Sequence, residues 1–111
     1  MAQDNDFRAE PASQVAELAL FFPESTPVHI PVRIETEAGG IAEETVLEFG
    51  TSEEVLFASS LPLEFGERIA LRNPDGSIQA KALVIALQFR AGRTAVAVRF
   101  TERVPNWIVK R

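Results

Sequence analysis

At 111 residues and 46% hydrophobic content, the chain is sized for one domain around one core. It has no cysteine, which excludes disulfides, thiolate metal sites and thiol nucleophiles and suits a reducing compartment. A net charge of -5 argues against nucleic acid, whose binding rests on clustered basic side chains.

The opening MAQDNDFRAE is acidic and polar, without the basic start and apolar run of a signal peptide. No stretch approaches the roughly 20 apolar residues of a membrane span. The expectation is a cytoplasmic protein with no membrane insertion. Residues 1–26 form a tail in this reading, with a short helix over 11–22. Pro11 stands at a first-turn position, Val15, Leu18, Ala19 and Phe22 recur at i, i+3, i+4 and i+7, and Pro23 is the stop. So brief an apolar stripe needs a surface to bury against; docking on the barrel is its expected fate, and capture of a partner is the alternative.

From residue 27 to residue 111 the periodicity is that of strands. Val28 to Glu37 is the first, with Pro31 marking an edge or bulge because proline cannot donate to a ladder. Ala38-Gly39-Gly40 turns the chain into Ile41–Phe49, and Glu53–Ser59 follows with Val55 and Phe57 on one face. Leu61–Gly66 reads as a loop and Glu67–Arg72 as the fourth strand. Asn73-Pro74-Asp75-Gly76 is turn chemistry at every position and closes a hairpin into Ser77–Arg90. Ala91-Gly92 closes another into Arg93–Thr101. The near-continuous apolar runs Ala80–Phe89 and Ala95–Val98 suit strands covered on both sides, or a small barrel filled by side chains and capped at one end by a helix. Pro105–Lys110 offers a last helical turn whose Trp107 would cover an open rim. Six short strands with tight turns favour a mainly β fold, a compact antiparallel six-stranded barrel.

Charge is split along the chain. Glu35 to Glu67 contains nine glutamates and no Lys or Arg, whereas Arg68 to Arg111 contains nine Lys and Arg against Asp75 and Glu102. Interleaved strands would turn this split into cross-strand pairs on a solvated surface; the alternative is a one-sign patch for a protein partner.

The stretch Phe49–Arg72, FGTSEEVLFASSLPLEFGERIALR, resembles the middle of a PilZ domain, and the resemblance runs from about Pro27 to Phe100. In that family a D/N-x-S-x-x-G signature leads into an apolar strand, and a pattern like Leu61-Pro62-Leu63-Glu64-Phe65-Gly66-Glu67-Arg68-Ile69-Ala70-Leu71 follows. The second pattern is intact here. The signature has become Gly50-Thr51-Ser52-Glu53-Glu54-Val55 and retains only its serine.

The resemblance implies a PilZ-like barrel, and PilZ domains usually sense cyclic di-GMP. In the family an R-x-x-x-R motif ahead of the first strand stacks on guanine and forks onto phosphate. The matching segment here, Leu20 to Val28, holds no Arg or Lys. Arg68-x-x-x-Arg72 and Arg99-x-x-x-Arg103 have the spacing but fall in or after later strands, as chance matches would. Gly50 brings no side chain to guanine, Val55 replaces the glycine that admits the ligand, and Glu53 and Glu54 set negative charge beside the phosphates. If the degenerate site bound nucleotide at all, Arg33, Gly50 and Ser52 would be the residues to do it, with Arg33 the nearest cation.

No enzyme chemistry is indicated. The lone His29 lies in a strand with every aspartate in a terminus or turn, and Glu43, Glu44, Glu48, Glu53 and Glu54 match no metal-ligand spacing and read as solvated. The expectation is a non-enzymatic binding module without cofactor that engages another protein. Its partner-facing candidates are the apolar loop residues Leu61, Leu63, Phe65, Trp107 and Ile108, each of which would otherwise be a lid on the core. PilZ relatives without the arginine motif are similar to adaptors in motility, pilus and surface-attachment systems. The alternative is an atypical cyclic di-GMP receptor.

Overall fold

The computed structural model describes residues 14–76, 78–90 and 92–104. Among the described residues, six strands follow one short helix: α1 (Ala16–Ala19), β1 (Thr26–Thr36), β2 (Ala42–Gly50), β3 (Glu54–Ser59), β4 (Arg68–Arg72), β5 (Gln79–Phe89) and β6 (Thr94–Phe100). They close into a barrel in the order β1-β2-β3-β6-β5-β4, every neighbouring pair antiparallel. Each expected strand is present to within about two residues at either end. The C-terminal helical turn at 105–110, with Trp107 and Ile108, and the expected helix start at Pro11 lie outside the described residues.

Alternation along the strands builds the interior. Val32, Ile34, Leu47, Val55, Phe57 and Ile69 are buried together, joined by Val84, Val96 and Val98 from the far wall. The period breaks where the ladder does. In β5, Ala82 and Val84 face inward, a register shift falls between Val84 and Ala86, and Leu87 packs on the inner core while Ile85 and Ala86 turn outward. One extra residue in a ladder reverses which parity is buried.

The continuous apolar runs are explained by a second, outer core. Leu56 and Ala58 of β3 and Ala95 and Ala97 of β6 project from the wall, and Val15 and Leu18 bury against them with Ala19 and Phe22 alongside. Three of those four wall residues are alanines, so the helix can approach closely. The expected apolar stripe is therefore the one that docks, although it lies on the barrel wall and does not cap an end. The regular helix is only Ala16–Ala19; beyond it Leu20, Phe21 and Phe22 donate to carbonyls three residues back, a tightening that ends at Pro23.

Pro31 has an edge position. Thr36 N–H bonds Ile41 toward β2 and Glu37 N–H bonds Arg68 toward β4, so by alternation the odd residues of β1 face β4. β4 pairs only with Arg33–Thr36. Pro31 lies just past that span, where its missing N–H costs no ladder bond. In the turn between β4 and β5, Asn73 Oδ1 accepts from Ile78 N–H at 2.9 Å, and Gly76 has φ 77°.

Candidate functional site

Thr51 organises the loop between β2 and β3. Its Oγ1 accepts from the N–H groups of Glu53 and Glu54, each at 3.0 Å, and its own N–H donates to Glu54 O at 2.8 Å. That tight turn leaves Ser52 and Glu53 exposed at the barrel mouth and starts β3 at Glu54. The signal for this turn in the sequence is a threonine hydroxyl three residues before a strand start.

Two adjoining clefts share Ser52, Glu53 and Arg99. The smaller, about 470 Å³, is bounded by Phe21–Glu24 on one side and the 51–54 loop on the other. It therefore lies between the segment ahead of β1 and the Gly50–Val55 stretch. The larger, about 700 Å³, extends over Phe100–Val104. Around the pair stand the carboxylates Glu24, Glu53, Glu54 and Glu102 and the guanidinium groups Arg99 and Arg103.

Arg33 does not join this site. Thr26 pairs with Gly50 whereas Arg33 pairs with Glu44, and seven residues of strand separate them, about 23 Å. Arg33 lies 3.9 Å from Glu44 on the barrel wall, in a different cleft. The cations lining the clefts beside Ser52 are Arg99 and Arg103, the two arginines of a spacing expected to match by chance. Gly50 is buried at the end of β2 and contributes backbone only. Arg99 is already engaged: Glu54 opposes it across the β3–β6 ladder and accepts from its Nε and Nη2. The hydrogen bonds to Glu54, reinforced by its negative charge, push the guanidinium pKa up.

Two of the glutamates read as solvated are partly enclosed. Glu54 has 14% of its side chain exposed and Glu43 17%. Glu43 sits at the opposite end of the barrel, where Ser59 Oγ donates to it at 2.6 Å and Ser60 donates from both N–H and Oγ. Arg93 lies 3.6 Å away. Burial alone would raise the Glu43 pKa, but these donors and Arg93 outweigh it and hold the carboxyl below its ordinary range. The cluster is a clasp between β2, the end of β3 and Arg93 just ahead of β6, and it pins the start of the 61–66 loop.

That loop sorts the apolar candidates. Leu63 is 5% exposed and belongs to the inner core, and Leu61 packs half-buried against the same core, so both act as lids. Phe65 stays 75% exposed. Ile41 and Phe89, also exposed, project at the same barrel end from the β1–β2 turn and the end of β5.

The expected cross-strand pairing of the two charged halves is visible in Lys81–Glu37, Arg93–Glu43 and Arg99–Glu54. Among the described residues, no helix is long and apolar enough to cross a membrane.

The architecture is that of a PilZ-like barrel. Among solved structures the chain is similar to the inhibitor of motility MotI/DgrA of Bacillus subtilis, with a TM-score of 0.52 at 14% sequence identity. The match covers 73% of this chain and 42% of that one, so the chain spans less than half of its length. What is shared at that identity is the fold. No family model matches the chain, and no curated protein matches it either.

Proposed function

We propose that this protein is a non-enzymatic, cytoplasmic PilZ-type regulatory module that has lost cyclic di-GMP binding and works by contacting another protein. The observation that carries this is the charge of the 470 Å³ cleft: Glu24, Glu53 and Glu54 line it, and Arg99 is committed to Glu54. A ligand with two phosphates would have to displace that pair and approach the remaining carboxylates, at a cost on the order of 1 to 4 kcal/mol per contact near 4 Å. The fold shared with a protein named as an inhibitor of motility supports a regulatory role by analogy. Phe65 is the anchor we assign to the partner surface, because an exposed aromatic in a loop pinned on both sides suits an interface hot spot.

The rival reading, an atypical cyclic di-GMP receptor, is favoured by Arg99 and Arg103 flanking Ser52. Calorimetric titration with cyclic di-GMP separates the two. The adaptor reading expects no saturable heat at micromolar concentrations; saturable heat lost in Arg99→Ala or Ser52→Ala overturns it.

A further inference from the structure

A second cleft, about 650 Å³, opens on the barrel wall between β1 and the β4–β5 turn. A row of side chains crosses four strands there in register: Glu44 of β2, Arg33 of β1, Arg72 of β4 and Gln79 of β5. Arg33 and Arg72 are direct partners of a hydrogen-bonded antiparallel pair, so their Cα atoms are about 5.5 Å apart. Two guanidinium groups projecting from one face at that spacing repel each other, and among the described residues Glu44 is the carboxylate within ion-pair distance of the two. Glu44 reaches Arg33 only at 3.9 Å with both side chains well exposed, and Arg72 has no ion pair among the described residues.

We infer that this cleft is a carboxylate-binding site for an acidic side chain of a partner peptide, held between Arg33 and Arg72. A carboxylate offers two oxygens that two guanidinium groups can share, and it converts the repulsion between them into attraction to a common anion. The other lining groups set the charge of the guest. Glu44 and Asp75 also border the cleft and bring the formal charge of its lining to zero, so a single carboxylate set between the two guanidinium groups meets less repulsion than a dianion such as phosphate. Pro31, Val46 and Pro74 supply an apolar border, which suits an acidic residue flanked by aliphatic ones. Pro31 also excludes main-chain strand addition at this edge, because it faces the gap without an N–H to donate. Recognition here is by side chain.

The inference extends the adaptor reading and is tested apart from it, since nucleotide titration probes the loop at Ser52 and leaves this wall untouched. The probe is the capped peptide acetyl-leucyl-glutamyl-leucine amide, titrated into the 111-residue chain while the arginine Nε–Hε resonances are followed by NMR. Expected are saturable shifts at Arg33 and Arg72 with a Kd on the order of 1 mM. The glutaminyl version of the peptide and the variants Arg33→Gln and Arg72→Gln should each bind about tenfold more weakly, the variants keeping a native amide spectrum. Equal binding of the glutaminyl peptide, tighter binding of inorganic phosphate at the same resonances, or no shift at either arginine would overturn the assignment.

Discussion

Arg99 lies directly across the β3–β6 ladder from Glu54 and donates from two of its nitrogens to one oxygen, Glu54 Oε2. This pair borders the 470 Å³ cleft between the segment ahead of β1 and the 51–54 loop, and it engages the guanidinium that lines that cleft. Neutralising the carboxylates frees it. The double variant Glu53→Gln/Glu54→Gln should bind cyclic di-GMP at least about tenfold more tightly than the parent, which corresponds to roughly 1.4 kcal/mol. Calorimetry on both proteins checks this, and equal absence of heat in the variant would show that charge is not what closes the site.

The outer core predicts a sharp contrast between two leucines near the helix. Leu18 is buried against Leu56, Ala58, Ala95 and Ala97, while Leu20 is 78% exposed. Leu18→Ala should cost about 2 to 4 kcal/mol of unfolding free energy. Leu20→Ala should stay within about 0.5 kcal/mol. Urea denaturation of the two variants measures both, and similar losses would mean that the helix does not dock as described.

The Glu43 clasp gives stability a pH dependence of definite sign. Because its carboxyl pKa is depressed in the folded state, the clasp contributes fully above the ordinary carboxylate range, and the contribution is lost as pH falls through the lowered folded value. The denaturation midpoint should therefore drop below roughly pH 4, and Glu43→Gln should flatten that part of the profile. Glu43→Ala leaves the fully buried Ser59 hydroxyl without its acceptor and should cost about 1 to 3 kcal/mol at neutral pH. A variant profile as steep as that of the parent would remove Glu43 from the account.

Gly76 closes the β4–β5 turn at φ 77°, with open space where a Cβ would stand. Any loss in Gly76→Ala is then conformational and should be about 1 to 2 kcal/mol. Thermal unfolding reads it directly; an unchanged midpoint would mean that the turn relaxes to another shape.

The barrel was legible in the sequence because its turn chemistry and strand periods agree. Asn73-Pro74-Asp75-Gly76, Gly40 and Gly92 each fall where the chain reverses, and Val55 and Phe57 share the inner face as their spacing required. The shift in β5 at Val84/Ala86 was not legible, since an inserted residue changes the buried parity without a signature among aliphatic neighbours. The site was read less well for a reason of geometry. Closing a sheet brings β6 beside β3, so Arg99 arrives at Ser52 from 47 positions further along the chain, while Arg33, far nearer in sequence, is carried down the wall. Glu43 and Glu54 were misjudged on the same ground: their partners Ser59, Ser60 and Arg99 are set by strand register, which local composition does not encode.

α1 is fastened to the wall by a handful of apolar side chains and by the surface contact of Glu17 with Arg90. Peeling it back would bare the alanine-rich strip of β3 and β6 while the ring of strands stayed shut. Among the described residues the helix is thus a cover held by side chains, and none of the barrel's ladder bonds runs through it.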